Sequence, residues 1–134
     1  MRLTAPKKDS KTVRGNKTAL VVDDIEDMLD LLEIALNCAD FSVLRATSVA
    51  DALELFGDHE DEIDLLMTEV RVGAENGLDL AKRLRQTKPS LQVLAISGVA
   101  RDRKAVFSEK GFAFLSKPFS ASELRRQLEC LFPA

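Results

Sequence analysis

The chain has 134 residues, 46% of them hydrophobic and 31% charged, with a net charge of −3. That suits a single domain able to bury roughly two thirds of its unfolded surface. No apolar run approaches the ~20 residues of a membrane span and no apolar stretch opens the chain as a signal peptide would, so an intracellular, cytoplasmic protein is expected.

Residues 1–16 set Arg2, Lys7, Lys8, Lys11 and Arg14 against Asp9 alone, a net of +4 that leaves −7 for the remainder. With Pro6, Ser10, Gly15 and Asn16 and no periodicity, this stretch reads as a disordered basic arm. A solubilising tail explains it more simply than contact with an acidic partner or nucleic acid. The body, 17–134, is acidic, which argues against a nucleic-acid surface and a DNA-binding domain.

The body then alternates. Residues 19–22 are a short apolar run ending in Asp23-Asp24. Glu26–Cys38 reads as a helix, with Met28, Leu31, Leu32, Ala35 and Leu36 on one stripe and acids at its start to suit the dipole. The second run, 41–44, leads to Ala46-Thr47. Ser48 is the expected N-cap of a helix striped by Val49, Leu53 and Phe56 and closed by Gly57. His59, the one histidine, lies in a polar loop without Cys or His partners at zinc spacing.

The third run, 63–67, ends in Thr68-Glu69. A loop over 71–76 precedes a helix from about Gly77 to Thr87, with Leu80, Ala81 and Leu84 inward and Pro89 barring its continuation. The fourth run, 93–96, ends in Ser97-Gly98. A short helix with Ala105 and Val106 is expected over 101–110, closed by Gly111. The fifth run, 112–115, ends in Ser116-Lys117-Pro118. Ser120 or Ser122 caps a last helix carrying Leu124, Leu128 and Leu131, and Ser120 with Glu123 makes a capping box. Cys38 and Cys130 fall in helical patterns without CxxC spacing and read as reduced thiols.

Strands alternating with helices imply parallel pairing and right-handed crossovers. Near-continuous apolar strands imply a sheet covered on both faces. The architecture predicted is α/β, a flavodoxin-like (βα)5 doubly wound three-layer sandwich with strand order 2-1-3-4-5. Its winding reverses beside strands 1 and 3, where ligands bind in such folds. That crevice would gather Asp23, Asp24 and Glu69, three carboxylates that repel one another unless a cation sits among them. An oxygen-rich site with retained water suits magnesium. Ser97 would bring a hydroxyl from strand 4, and Lys117 an ammonium from strand 5, aimed by Pro118.

From Lys17 to Leu131 these pieces, in order and on the right strand ends, resemble a response-regulator receiver (CheY-like) domain. The resemblance rests on Asp23-Asp24, on 63–68 before the acceptor position, on Asn76-Gly77-Leu78, on Ser97-Gly98 and on Lys117-Pro118-Phe119. It implies that Asp23, Asp24 and the backbone carbonyl of Arg71 hold Mg2+, and that Ser97 and Lys117 contact a phosphoryl group. It also implies that Phe114 is a switch aromatic, for which core packing at a strand edge is an equal explanation. Function is then expected in two-component phosphorelay signal transduction, without enzyme activity. The expected partners are a sensor histidine kinase, a phosphotransfer protein or a downstream effector, engaged through the helix 4–strand 5–helix 5 face. Val99, Val106, Phe107 and Phe119 are the apolar candidates there, and a homodimer is one further option.

The chain departs from the family at the phosphoacceptor position, where Glu69 replaces the usual aspartate. Its carboxylate lies one methylene further out, roughly 1.5 Å, and misplacement on that scale costs about 10²-fold in a positioned reaction. The longer side chain can meet Lys117 directly, which would weaken or abolish metal binding. Four residues on, Gly73 replaces the family's usual proline and loosens the loop, and the Arg71 guanidinium is within reach of Glu69 or Glu75. The favoured expectation is a phosphorylation-independent pseudo-receiver acting as an interaction module. A working phosphoacceptor is the alternative. A phosphatase-like enzyme is remote, because Asp24-Ile25-Glu26 only loosely matches a nucleophile pair, and the acids after strand 1 would repel a flavin phosphate. A stand-alone receiver, or a piece of a hybrid sensor kinase, fits the extent of the chain.

Overall fold

The computed structural model describes residues 16–99, 101–107 and 111–133. The basic arm expected at the N-terminus therefore lies outside the described residues, apart from Asn16. Five parallel strands form one sheet: β1 (Lys17–Val22), β2 (Phe41–Ala46), β3 (Ile63–Glu69), β6 (Gln92–Ser97) and β7 (Phe112–Ser116). Their order is β2-β1-β3-β6-β7, the predicted 2-1-3-4-5 winding. The helices are α1 (Glu26–Cys38), α2 (Val49–His59), α3 (Gly77–Thr87), α4 (Asp102–Phe107) and α5 (Ala121–Leu131).

Alternation along β1 shows how the layers form. Ala19 and Val21 face Leu29, Leu32 and Leu36 of α1 and Leu124 and Leu128 of α5. Leu20 and Val22 face Ala52 and Phe56 of α2 and Leu80 and Leu84 of α3 on the other side. The sheet is thus apolar on both faces, as buried parallel strands require. A third, smaller cluster joins Val70, Leu78, Ala95 and Val106 beneath α4.

Local capping follows the side-chain chemistry. Ser48 accepts from the Asp51 amide and Asn76 from the amides of Leu78 and Asp79. Ser120, rather than Ser122, caps α5 in the full capping box with Glu123. Arg45 on β2 reaches Glu26, Asp30 and Glu33 of α1 at 3.3, 2.8 and 2.9 Å, tying that helix to the sheet edge.

Three expectations need correction. Leu29, not Leu31, supplies the buried stripe of α1 with Leu32 and Leu36, and Leu31 is 62% exposed. Gly57 does not end α2, which runs on to His59; open space around the glycine leaves the helix nothing to avoid there. The 71–76 loop is a small antiparallel hairpin, β4 (Arg71–Val72) against β5 (Glu75–Asn76), turning through Gly73 at φ 61°. Glycine takes that left-handed angle without strain, whereas a proline, held near φ −65°, could not. The short helix expected over 101–110 is present as α4 over Asp102–Phe107, residues 108–110 lie outside the described ones, and Gly111 follows at φ 84°.

Candidate functional site

The carboxyl ends of β1, β3, β6 and β7 converge as expected. The Val70 amide donates to the Ile96 carbonyl, and the Lys117 amide to the Ser97 carbonyl at 3.0 Å. Beneath Glu69 the backbone is wedged by Gly77. A Cβ there would lie 2.6 Å from Thr68 Oγ1 and collide with the Glu69 carbonyl oxygen. The Gly77 amide also donates to Val70 at 2.7 Å, and Thr68 Oγ1 donates to the Glu69 carbonyl. Glycine is required here by close approach, and it fixes the direction in which Glu69 leaves the strand.

Glu69 is 9% exposed. Its Oε2 is met by the Lys117 ammonium and, among the described residues, by no other donor. Burial pushes the carboxyl up to about 7, against the lowering effect of Lys117, and the neighbouring Asp23 carboxylate raises it further. One cation does not compensate for removal from water plus a like charge. Asp23 is buried as well; its Oδ1 accepts the Ile25 amide at 2.9 Å, and its Oδ2 has no hydrogen-bond donor among the described residues. Asp24 is exposed. Among the described residues no three acidic, histidine or cysteine side chains gather closely enough to share a metal ion. Of the three carboxylates expected side by side, Asp23 and Glu69 lie close enough to interact, whereas Asp24 stays exposed.

The Ser97 hydroxyl and the Arg71 guanidinium share a partner, Asp102, that the strand ends alone did not suggest. The Ser97 hydroxyl donates to Asp102 Oδ2 at 2.7 Å and its Oγ accepts the Val99 amide at 3.0 Å. The Arg71 guanidinium grips the same carboxylate, Nη2 to Oδ1 at 2.8 Å and Nε to Oδ2 at 3.3 Å. It does not fold onto Glu69 or Glu75. A buried carboxylate offering two oxygens matches the guanidinium fork, whereas Glu75 is exposed and Glu69 is held by lysine. Burial alone would raise the Asp102 pKa, but the Ser97 hydroxyl, Arg71 and Arg101 together hold it below the usual value.

Asp102 was missed in the sequence because Arg101-Asp102-Arg103-Lys104 reads as a solvated charge run. The available signal was an acid in the first turn of a helix, five residues after a strand-end serine. Phe114 is partly buried against the Val70, Leu78, Ala95 and Val106 cluster, with the Arg103 guanidinium 5.6 Å above its ring.

The expected apolar face also changes. Val106 is fully buried and Phe119 packs against the core shared by α1 and α5. The Phe107 side chain lies outside the described residues. Val99 remains, 38% exposed, but the larger apolar exposure is at α1, with Ile25 at 55%, Leu31 at 62% and Ile34 at 63%. Cys38 and Cys130 are free thiols and exposed. No helix among the described residues is long and apolar enough to cross a membrane.

Comparison with known proteins agrees with this geometry. The sensor kinase CckA of Brucella abortus is 33% identical over 113 residues, covering 82% of this chain and 12% of the kinase. The response regulator protein PilR of Pseudomonas aeruginosa is 34% identical over 113 residues, covering 83% of this chain and 25% of that protein. The chain thus spans a quarter or less of the length of these two relatives. Among solved structures, the non-phosphorylated HemR receiver domain of Leptospira biflexa superposes with a TM-score of 0.75 at 25% identity, covering 88% of this chain and 95% of that one. The sequence model of the response regulator receiver domain matches residues 19–129. The chain belongs to the response-regulator receiver family of two-component signalling.

Proposed function

We propose that this receiver works without phosphorylation, as a pseudo-receiver whose acceptor position is closed by its own lysine. The carrying observation is the buried Glu69–Lys117 contact. In a receiver the carboxylate oxygen attacks phosphorus while the donor group leaves, and the lysine neutralises the phosphoryl oxygens. Here the ammonium already holds the would-be nucleophile. A carboxyl titrating at about 7 also carries a proton in much of the population at neutral pH, which removes the attacking lone pair. Ser97, the second expected phosphoryl contact, is committed to Asp102.

Magnesium would be held by Asp23, whose Oδ2 lacks a donor, with Asp24 and the Arg71 carbonyl completing the protein ligands. When bound it supplies charge neutralisation at the pocket mouth. With Glu69 turned to Lys117, that site is weaker than in a receiver with a free acceptor carboxylate. The side-chain arrangement favours an inactive-like state over a mimic of the phosphorylated one, because the Glu69–Lys117 contact forms without drawing Ser97 toward it. Partners would be a histidine kinase, a phosphotransfer protein or an effector. Exposed apolar surface supports contact along α1 as well as at Val99 on the expected face.

The test is incubation with magnesium and acetyl phosphate followed by intact mass, with Glu69→Asp alongside. The reading expects a phosphoryl adduct on the aspartate variant alone. An adduct on the parent overturns it and supports a working phosphoacceptor. If neither protein gains one, transfer is blocked by more than Glu69, and the hairpin at Arg71 and Gly73 becomes the second lesion.

A further inference from the structure

We propose that Asp102 is a positioning residue that withholds the Ser97 hydroxyl from the Glu69–Lys117 pocket, with Arg71 clamping Asp102 in that role. This deepens the receiver reading above and rests on its assignment of the pocket. Asp102 is 3% exposed, at the start of α4. Its two oxygens take three donors, from Ser97 at the end of β6 and from Arg71 at the start of β4. One carboxylate thus ties the loop after β3, the end of β6 and the first turn of α4.

A serine hydroxyl has one proton to give. Here that proton is in a buried, charge-assisted bond of 2.7 Å. Its Oγ also anchors the Val99 amide, which orients the β6–α4 connection. An anion seated beside Lys117 obtains the hydroxyl only by taking it from Asp102, leaving a buried carboxylate one donor short. Leaving such a group unmet is unfavourable by more than the average hydrogen bond contributes. The pocket therefore offers an anion the lysine but not the serine, and α4 keeps its place whether or not the pocket is filled.

The experiment has two readouts. The first uses the full chain without ligand: the Ser97 χ1 rotamer from three-bond couplings, and the exchange rate of the Val99 amide. The second measures beryllofluoride binding in magnesium by fluorine NMR in the Glu69→Asp background, a method chosen because the chain has neither Trp nor Tyr. The expected parent shows one Ser97 rotamer and a protected Val99 amide. Asp102→Ala releases both, and beryllofluoride binds about tenfold tighter, the scale of one charge-assisted hydrogen bond. Adding Ser97→Ala abolishes that gain, which a merely structural role for Asp102 would not predict.

Asp102→Asn keeps an acceptor oxygen for the serine and so gives a smaller change in the same direction. It also keeps the test alive if the alanine variant fails to fold. An unchanged Ser97 rotamer, an affinity that is unchanged or weaker, or a gain that survives Ser97→Ala overturns the proposal. If Glu69→Asp binds no beryllofluoride, the assignment of the pocket fails, and the rotamer and exchange measurements still decide the role of Asp102.

Discussion

Two buried carboxylates near one end of the sheet meet opposite fates. Glu69, with one ammonium and a neighbouring carboxylate, is pushed up to about 7. Asp102, with a hydroxyl and a forked guanidinium, is held below its usual value. Burial opposes ionisation at both. What differs is the number and geometry of donors, three hydrogen bonds from two residues against a single lysine contact. Charge pairing alone does not settle a buried carboxylate; satisfied oxygens do.

The strongest way to break the comparison is to dislodge Glu69 from below. Gly77→Ala puts a methyl group into the Glu69 carbonyl and Thr68 Oγ1. Backbone cannot yield as a flexible side chain would, so a loss of about 3 kcal/mol or more is expected. Urea denaturation would show it as a lowered midpoint, and a loss below about 1 kcal/mol would mean the strand end is softer than the contacts imply.

Next comes the pH dependence of Glu69. Between 4.5 and about 7 the folded carboxyl keeps a proton that the unfolded one has released. The native state binds more protons in that window, so stability falls as pH rises through it and is level above. The full effect is roughly 2–3 kcal/mol. Denaturation midpoints at pH 5 and pH 8 would measure it, and Glu69→Gln flattens the profile. A midpoint that rises with pH in the parent and not in the variant would reverse the account of the site. Lys117→Met should steepen the profile, since it removes the lowering influence.

The fold was legible because its signal is periodic. Apolar runs four to five residues long, each followed by a helical stripe, leave few alternatives once crossovers must be right-handed. The register of α1 was less legible. Leu29, Leu31, Leu32, Ile34 and Leu36 overfill one stripe, and the sequence cannot say which of Leu29 and Leu31 the sheet will accept. At the site, the Glu69–Lys117 contact was readable from strand order and side-chain length. The common partner of Arg71 and Ser97 was not legible because it comes from α4, and helix position over a sheet is decided by packing. Val106 at 0% exposure anchors α4 and so brings Asp102 over Ser97. No local pattern encodes that.

Asp102→Asn sharpens the comparison from the other side. It keeps the shape and one acceptor oxygen but removes the charge that holds Arg71, whose side chain is 54% exposed and therefore resolvable by water. A cost of about 2 kcal/mol at pH 7 is expected, less than for a pair buried at both ends. Glu69→Gln at the same pH should cost less than that, because the charged form it replaces is already disfavoured. Equal losses at the two sites would mean that donor count does not separate them.

The smallest effect is the most discriminating. Ser97→Ala removes one neutral donor from Asp102, a loss of about 1 kcal/mol at pH 7. The depressed pKa of Asp102 contributes stability above the ordinary 3.8 and loses it as pH falls further. Removing Ser97 lets that pKa drift upward, so parent and variant should differ most near neutrality and converge in acid. Measured by denaturant midpoints from pH 7 down to pH 3, a gap that stays constant would assign the loss to packing of the serine rather than to its bond with the ionised carboxylate. A gap that closes ties Ser97 energetically to α4, and sets this serine apart from one held ready for an anion beside Lys117.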